Sequence, residues 1–364
     1  MKEILTVDKW LLLAVVGLLT LGVIMVLSTS YLYSQERFAD GTYFFRKQML
    51  AMGAGIVMLA ICSLLPSTTY QKMTYPLLAL TLLVLVLVLI PGVGVSRGGA
   101  RRWLMLLGFT FQPGELAKLA LVFYLARSMA KKEDKIQTFS VGVLPHLIIG
   151  GLSLGLLLLQ PDFGTALILT MLLYVMLFVA GSKVSHLMAT GLMALPFLVY
   201  VMFSAEYRLR RLMTFLDPWR EASGSGFQII QSLIAFGSGR LWGRGLGESR
   251  QKLFYLPEAH TDFVFSVIGE ELGLLGALMV VGLFGVIVVR GLRLAEKIEE
   301  PFEQYLAFGL TTLLGFQALI HMGVVMGLMP TKGLVLPFIS YGGSAMIINL
   351  VAAGILLGLS RRRL

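Results

Sequence analysis

Long apolar runs separated by short polar links recur along the whole chain. Runs near 10–30, 47–65, 73–91, 112–130, 141–159, 163–181, 184–203, 263–290, 302–327 and 341–359 approach or exceed the length that hydrocarbon about 30 Å thick demands of a helix. They predict ten transmembrane helices. The segment 73–91 has the shortest clean core, Leu77–Ile90. Because lipid offers the backbone no hydrogen bonds, such segments satisfy their own amides as helices. The expected fold class is therefore an all-α polytopic membrane protein, read as one unit over residues 1–364, with no convincing internal repeat. Two links stand out from the short ones: a Gly/Arg-rich stretch at 92–111, and a loop of 59 residues, 204–262, between the seventh and eighth spans. Inside that loop Phe227, Ile230, Leu233, Ile234 and Phe236 recur at helical spacing, which predicts a short interfacial helix over Gln228–Phe236.

Composition agrees with the pattern. The chain is 57% hydrophobic and 14% charged, with a mean hydropathy of +0.84, outside the range of soluble domains. The first nine residues lack a strong basic region and no small-residue cleavage site follows the first apolar run, so the first span is expected to remain as an anchor. The single cysteine, Cys62, lies within the second span, which rules out an intramolecular disulfide and a cysteine metal site.

The net charge of +10 orients the chain only after it is placed. With the N-terminus cytoplasmic, loops on that side carry 14 Lys/Arg and those opposite carry 15, apart from Lys118 within a span. Eight of the 15 sit in the long loop, near the length at which the positive-inside rule loses force. Without them the count is 14 against 7, which predicts that both termini are cytoplasmic and that the long loop is outside.

The chemistry-bearing residues then fall on the outer side. LPEAHTDFVF, Leu256 to Phe265, puts Glu258, His260 and Asp262 directly before an apolar run, where ionisable groups are costly to desolvate and usually serve a task. GGARRWL (Gly98–Leu104) offers Arg101, Arg102 and Trp103, which as an isolated motif read equally well as headgroup anchors and a belt tryptophan. Glu115 and Lys118 are an i,i+3 pair one turn into a span, either a structural ion pair or the lining of a polar cavity. Asp162 of LQPDFGTAL reads best as a helix cap. The late loop cations, Arg244 and Lys252 among them, alternate with glycines that let backbone amides approach an anion. In MPTKGLVLPFISYGGS, Lys332 and Ser340 precede the last helix, and such a lysine serves an anion site or simply snorkels. His260 and Asp262 lack a nearby third ligand, so no metal site is expected. One carboxylate, several cations and walls open to lipid suit a reaction on a lipid-linked pyrophosphate: one base takes a proton from the acceptor hydroxyl, and positive charge steadies the leaving group.

Taken together, ARRWL, FQPGELAKLA, QPDFGTAL, GSGFQIIQSLIAFGSG, GESRQKLFYLPEAHTDFVFSVIGEELG and PTKGLVLPFISYGGS resemble the SEDS family (shape, elongation, division and sporulation) over nearly the whole chain. The strings around Gly224–Gly239 and Gly247–Asp262 resemble its FtsW-like division branch more than the RodA-like elongation branch. The resemblance implies ten helices, cytoplasmic termini and a large outer loop before the eighth helix. It also implies an inverting peptidoglycan glycosyltransferase in the bacterial inner membrane at the division septum, acting on lipid II and a growing lipid-linked glycan strand. The implied partners are a class B penicillin-binding protein (an FtsI-like transpeptidase) and other divisome membrane proteins, with no nucleic acid and no required cofactor; a divalent cation is not indicated. The family's catalytic aspartate falls on Asp262, its last-loop lysine on Lys332, and its Arg–Trp pair on Arg102–Trp103. Arg101, Lys118, Arg244, Lys252 and Ser340 are the further substrate-binding candidates, and Glu258 and His260 are expected to position Asp262. Gly114 stands where the family often has serine. Two rival readings remain at this stage, a lipid II flippase and a noncatalytic division scaffold that recruits a transpeptidase; a transporter would place its ionisable groups near the midplane.

Overall fold

The computed structural model describes residues 7–97, 99–106, 108–203, 206–222, 224, 226–252, 256–330 and 333–361. Each of the ten predicted segments is helical. The helices are α1 (Lys9–Phe38), α2 (Tyr43–Leu64), α3 (Ser67–Leu89), α4 (Pro113–Lys131), α5 (Leu144–Leu159), α6 (Phe163–Val179), α7 (Val184–Phe203), α8 (Glu206–Leu216), α9 (Phe227–Gly239), α10 (Val264–Glu271), α11 (Gly273–Lys297), α12 (Pro301–Val325) and α13 (Gly343–Arg361). Among the described residues six of these, and α5 together with the helical turn Phe139–Val143 that leads into it, are long and apolar enough to cross a membrane. Segments α6 and the described part of α7 are shorter, and α4 carries Glu115 and Lys118. The segment with the weakest apolar core forms α3, which runs through Pro76 without breaking.

Local signals set the helix starts. Asp8 caps α1 by accepting from the amides of Trp10 and Leu11 at 3.0 and 3.1 Å. Pro113 and Pro301 occupy first positions of α4 and α12, where the missing N–H costs nothing. Asp162 caps α6 through the Thr165 amide and hydroxyl, as the sequence predicts. In the core, α13 lies along α2. There Gly354 and Gly358, one helical turn apart, sit directly against the backbone of Leu59 and Ser63, leaving no room for a Cβ. Small residues that let backbones approach are how helices associate in lipid, where apolar burial gives no drive. Helices α4, α12 and α13 are buried on nearly all faces.

The bundle has two distinct ends. At one, Asp8 bonds Arg290 of α11, and its amide donates to Ser360 at the end of α13, so the start of α1 and the end of α13 share a face. At the other lie the 31–46, 92–111, 204–262 and 328–340 links, which the charge pattern had grouped. The 92–111 link departs from expectation by forming a three-stranded antiparallel sheet, β1 (Gly94–Arg97), β2 (Ala100–Leu106) and β3 (Phe109–Phe111). Its glycine and arginine content hid the strands.

The 263–290 run is also not one helix. It breaks between α10 and α11, where Gly273 takes a left-handed φ of 67° that only glycine adopts without strain. The Leu274 and Leu275 amides freed there donate to the carbonyls of Arg240 and Leu241 at 2.9 and 3.3 Å. In return the Arg244 and Gly245 amides donate to the carbonyls of Glu270 and Glu271 at 2.9 and 3.0 Å. The outer loop thus satisfies the backbone that the break exposes. The predicted interfacial helix appears as α9, longer than expected. It is seated on α10, with Gly239 against the backbone of Gly269 and Ser232 bonded to Ser266.

Candidate active site around Asp262

Asp262 ends a tight turn that leads into α10. The Glu258 carbonyl gathers three successive amides, those of Thr261, Asp262 and Phe263, at 3.1, 3.1 and 3.3 Å. Glu258 adopts a left-handed φ of 58° to do so, and its carboxylate accepts from the Thr261 hydroxyl at 2.9 Å. A non-glycine residue held in that region is strained by about 1–3 kcal/mol and persists only where the surroundings over-determine it. The surroundings here are extensive. Ser340 Oγ donates to the Thr261 carbonyl at 2.7 Å and accepts from the Leu336 amide at 2.9 Å. The Tyr341 amide donates to the His260 carbonyl at 2.9 Å. Gln48 of α2 holds both Ser340 and Gly342, donating to the carbonyl of one and accepting from the amide of the other.

His260 is packed among the rings of Tyr33, Phe44 and Tyr341 at centroid distances of 5.1 to 5.8 Å. Burial pushes its pKa down, with the Glu258 charge opposing, so it is a neutral aromatic anchor. It makes no hydrogen bond to Asp262. Glu258 and His260 are connected to Asp262 through the backbone of the turn.

The Asp262 carboxylate itself accepts no hydrogen bond from any described residue. It is half-buried and lies against Gly333, where a Cβ would come within 3.0 Å of Asp262 Oδ2. Burial, reinforced by the Glu258 charge, raises its pKa to about 7, and the cations of Arg102 and Arg211 pull the other way. A carboxyl poised near neutrality with cations around it can act as a general base while an anion binds beside it.

The sheet explains how Arg102 arrives. Successive positions of β2 face opposite sides, so Arg102 shares a side with Ala100 and Leu104, both buried. Its guanidinium donates to the carbonyls of Gln160 and Pro161. Arg101 and Trp103 are on the other side, where Arg101 donates to the Leu89 carbonyl at the end of α3. The remaining candidates do not converge on the carboxylate. Lys118 is fully buried, bonded to Glu115 at 2.9 Å and to Gln317 at 2.6 Å, and Gln317 donates onward to Asn349. Arg244 pairs with Glu270 at 3.7 Å, and Lys252 with Glu271 and Ser28 at 2.9 and 3.0 Å, two turns further along α10. Lys332 lies outside the described residues.

Sequence reading missed Arg211, which nothing separated from the neighbouring loop cations, and Gln48, Gln317 and Asn349. A polar residue inside an apolar run was the readable signal for the last three.

The family model for FtsW, RodA and SpoVE, described as cell cycle protein, matches residues 9–364. The chain belongs to this family. A probable peptidoglycan glycosyltransferase FtsW of Geobacter sulfurreducens is 47% identical over 361 residues, covering 99% of this chain and 97% of the relative. Stage V sporulation protein E of Bacillus subtilis is 40% identical over 354 residues, 97% of each. Among solved structures, a chain from a peptidoglycan synthase complex in which polymerization and crosslinking are coordinated superposes with a TM-score of 0.78 at 33% identity, covering 99% of both chains. The rod shape determining protein RodA of Thermus thermophilus superposes at 0.73 with 31% identity, over 99% of this chain and 98% of that one. Among FtsW/RodA/SpoVE proteins this chain thus resembles the relatives named FtsW at higher identity than the RodA structure.

Proposed function

We propose that this protein is a division peptidoglycan glycosyltransferase that polymerises lipid II at the outer face of the bacterial inner membrane. The whole chain acts as one transmembrane unit, both termini are cytoplasmic, and the protein works at the septum. The 4-hydroxyl of the incoming N-acetylglucosamine attacks the anomeric carbon of the muramyl unit on the growing strand. Asp262 takes the hydroxyl proton, the configuration inverts, and undecaprenyl pyrophosphate leaves with its electron pair. Arg102, with Lys332 from the last outer loop, binds pyrophosphate and stabilises the charge that develops on departure. A class B penicillin-binding protein accepts the strand for crosslinking.

One observation carries this reading: a half-buried carboxylate that accepts no hydrogen bond from any described residue, has a pKa raised to about 7, and is flanked by the Arg102 and Arg211 charges. A passive scaffold has no use for such a base, and a flippase would place its ionisable groups near the midplane rather than at the outer end of the bundle. Purified protein, with and without its transpeptidase, is given labelled lipid II and the polymer is resolved by gel. Asp262→Asn is expected to abolish polymer while still binding the partner. Wild-type rates from that variant would sink the assignment.

A further inference from the structure

The end of the bundle opposite Asp262 holds a cluster that the polymerase reaction does not use. Arg127 and Lys131 stand four residues apart on α4, hence on one face of the helix. Both reach the ring of Tyr75 on α3, with the Arg127 guanidinium carbon 5.3 Å and Lys131 Nζ 5.6 Å from its centroid. Like charges at this spacing repel. Yet among the described residues neither cation forms a salt bridge, although Glu133 and Asp134 follow directly in sequence. Lys131 has some compensation as a cation in the last turn of α4. Arg127 is a turn deeper, and its Nε and Nη1 are shielded from solvent without a hydrogen-bond acceptor. A guanidinium in that state carries an unmet desolvation cost. Tyr75 and Lys131 are exposed on the perimeter of the bundle, at the seam where α3 packs on α4.

We infer that Arg127, Lys131 and Tyr75 form a binding site for the phosphate of an anionic phospholipid. Two cations with no carboxylate partner among the described residues, one partly exposed and one exposed, and the seam's position at the membrane boundary match one ligand chemistry: a phosphodiester whose acyl chains lie along α3 and α4. Arginine fits a phosphate through two parallel N–H bonds, and basic pockets between helices on the cytoplasmic side are suited to such headgroups. The tyrosine ring holds the two cations together while the phosphate bridges them. Under the topology proposed above the site faces the inner leaflet. It is thus separate from the substrate side.

The test uses the full-length protein in phosphatidylcholine nanodiscs containing graded phosphatidylglycerol, with retained lipid counted by native mass spectrometry. Both leaflets of a nanodisc are accessible, so the readout is independent of the topology and of any polymerase activity. The wild type should retain one phosphatidylglycerol saturably. Affinity should fall about fivefold in Lys131→Gln and about twenty-five-fold in the Arg127→Gln/Lys131→Gln double variant. Arg293→Gln/Lys297→Gln removes the same charge elsewhere on that end and should change nothing, and Tyr75→Phe should retain binding. Glycerol phosphate at matched concentration should not compete, which separates a lipid site from a free-phosphate site. Equal losses from both double variants, or none from either, would overturn the inference. If the Arg127 variant does not fold, Lys131→Gln alone decides, since its side chain is exposed.

Discussion

Polymerisation should follow the ionisation of Asp262, and the structure sets both the midpoint and the direction of its shifts. With a pKa of about 7, roughly one-tenth of the protein holds the base form at about pH 6 and roughly nine-tenths at about pH 8, so turnover rises nearly tenfold across that window. An ordinary aspartate, ionised above about pH 5, would give a flat profile over the same range. Two variants move the midpoint in opposite directions. Glu258→Gln removes a charge that raises the pKa, so the midpoint falls; Arg102→Gln removes one that lowers it, so the midpoint rises. The assay is initial polymerisation rate at saturating lipid II, with each profile normalised to its own plateau so that lost binding does not mimic a shifted pKa. The sign of the stability effect follows from the same shift. The folded protein favours the protonated carboxyl, so Asp262's stabilising contribution is complete below its unfolded value of 3.8 and is lost as pH rises through about 7. Asp262→Asn should therefore melt above wild type at alkaline pH and match it more closely in acid. A flat wild-type profile, or both charge variants shifting the same way, would refute the reasoning.

Three further outcomes follow from packing. Lys118→Met should cost about 3–5 kcal/mol by leaving Glu115 charged and unpartnered in the bundle, and Glu115→Gln in the same background should restore part of it, as read by thermal unfolding in detergent. Gly239→Ala places a Cβ 1.9 Å from the Gly269 carbonyl oxygen, so it should push α9 off α10 and expose the 240–252 segment to protease. Gly333→Ala presses only on the movable end of the Asp262 side chain, at 3.0 Å; melting should be nearly unchanged while activity drops on the order of a hundredfold through misplacement of the base.

The helical segments were legible because hydrocarbon thickness dictates run length, and the cap at Asp162 follows a chain-local rule. The break at Gly273 was not, because the apolar run continues across it and one glycine barely perturbs a hydropathy pattern. The reason for the break lies in Arg240–Gly245, thirty residues upstream, whose backbone pairs with it. The sheet escaped notice for a related reason: Arg101, Arg102 and Trp103 read as interfacial anchors until alternation along β2 assigns them to different sides. Asp262 stood out as a lone carboxylate against a span. That Arg102 and Arg211 bear on its charge while Arg244 and Lys252 are taken by Glu270 and Glu271 depends on tertiary contacts that no local pattern encodes.

Those two adjacent glutamates divide the outer loop mechanically. Glu270 accepts from the Ser238 and Ser249 hydroxyls and from the amides of Arg250 and Gln251, while Glu271 accepts from Ser28 of α1 and from Lys252. Lifting the second half of the loop would strand two carboxylates in a low-dielectric interior, so that half moves only as part of the bundle. In the first half of the loop, α8 packs on α7 and the Pro218–Glu221 turn. The paired carboxylates thus make the α9–α10 half of the loop an anvil, the solid backing against which the Asp262 turn is held.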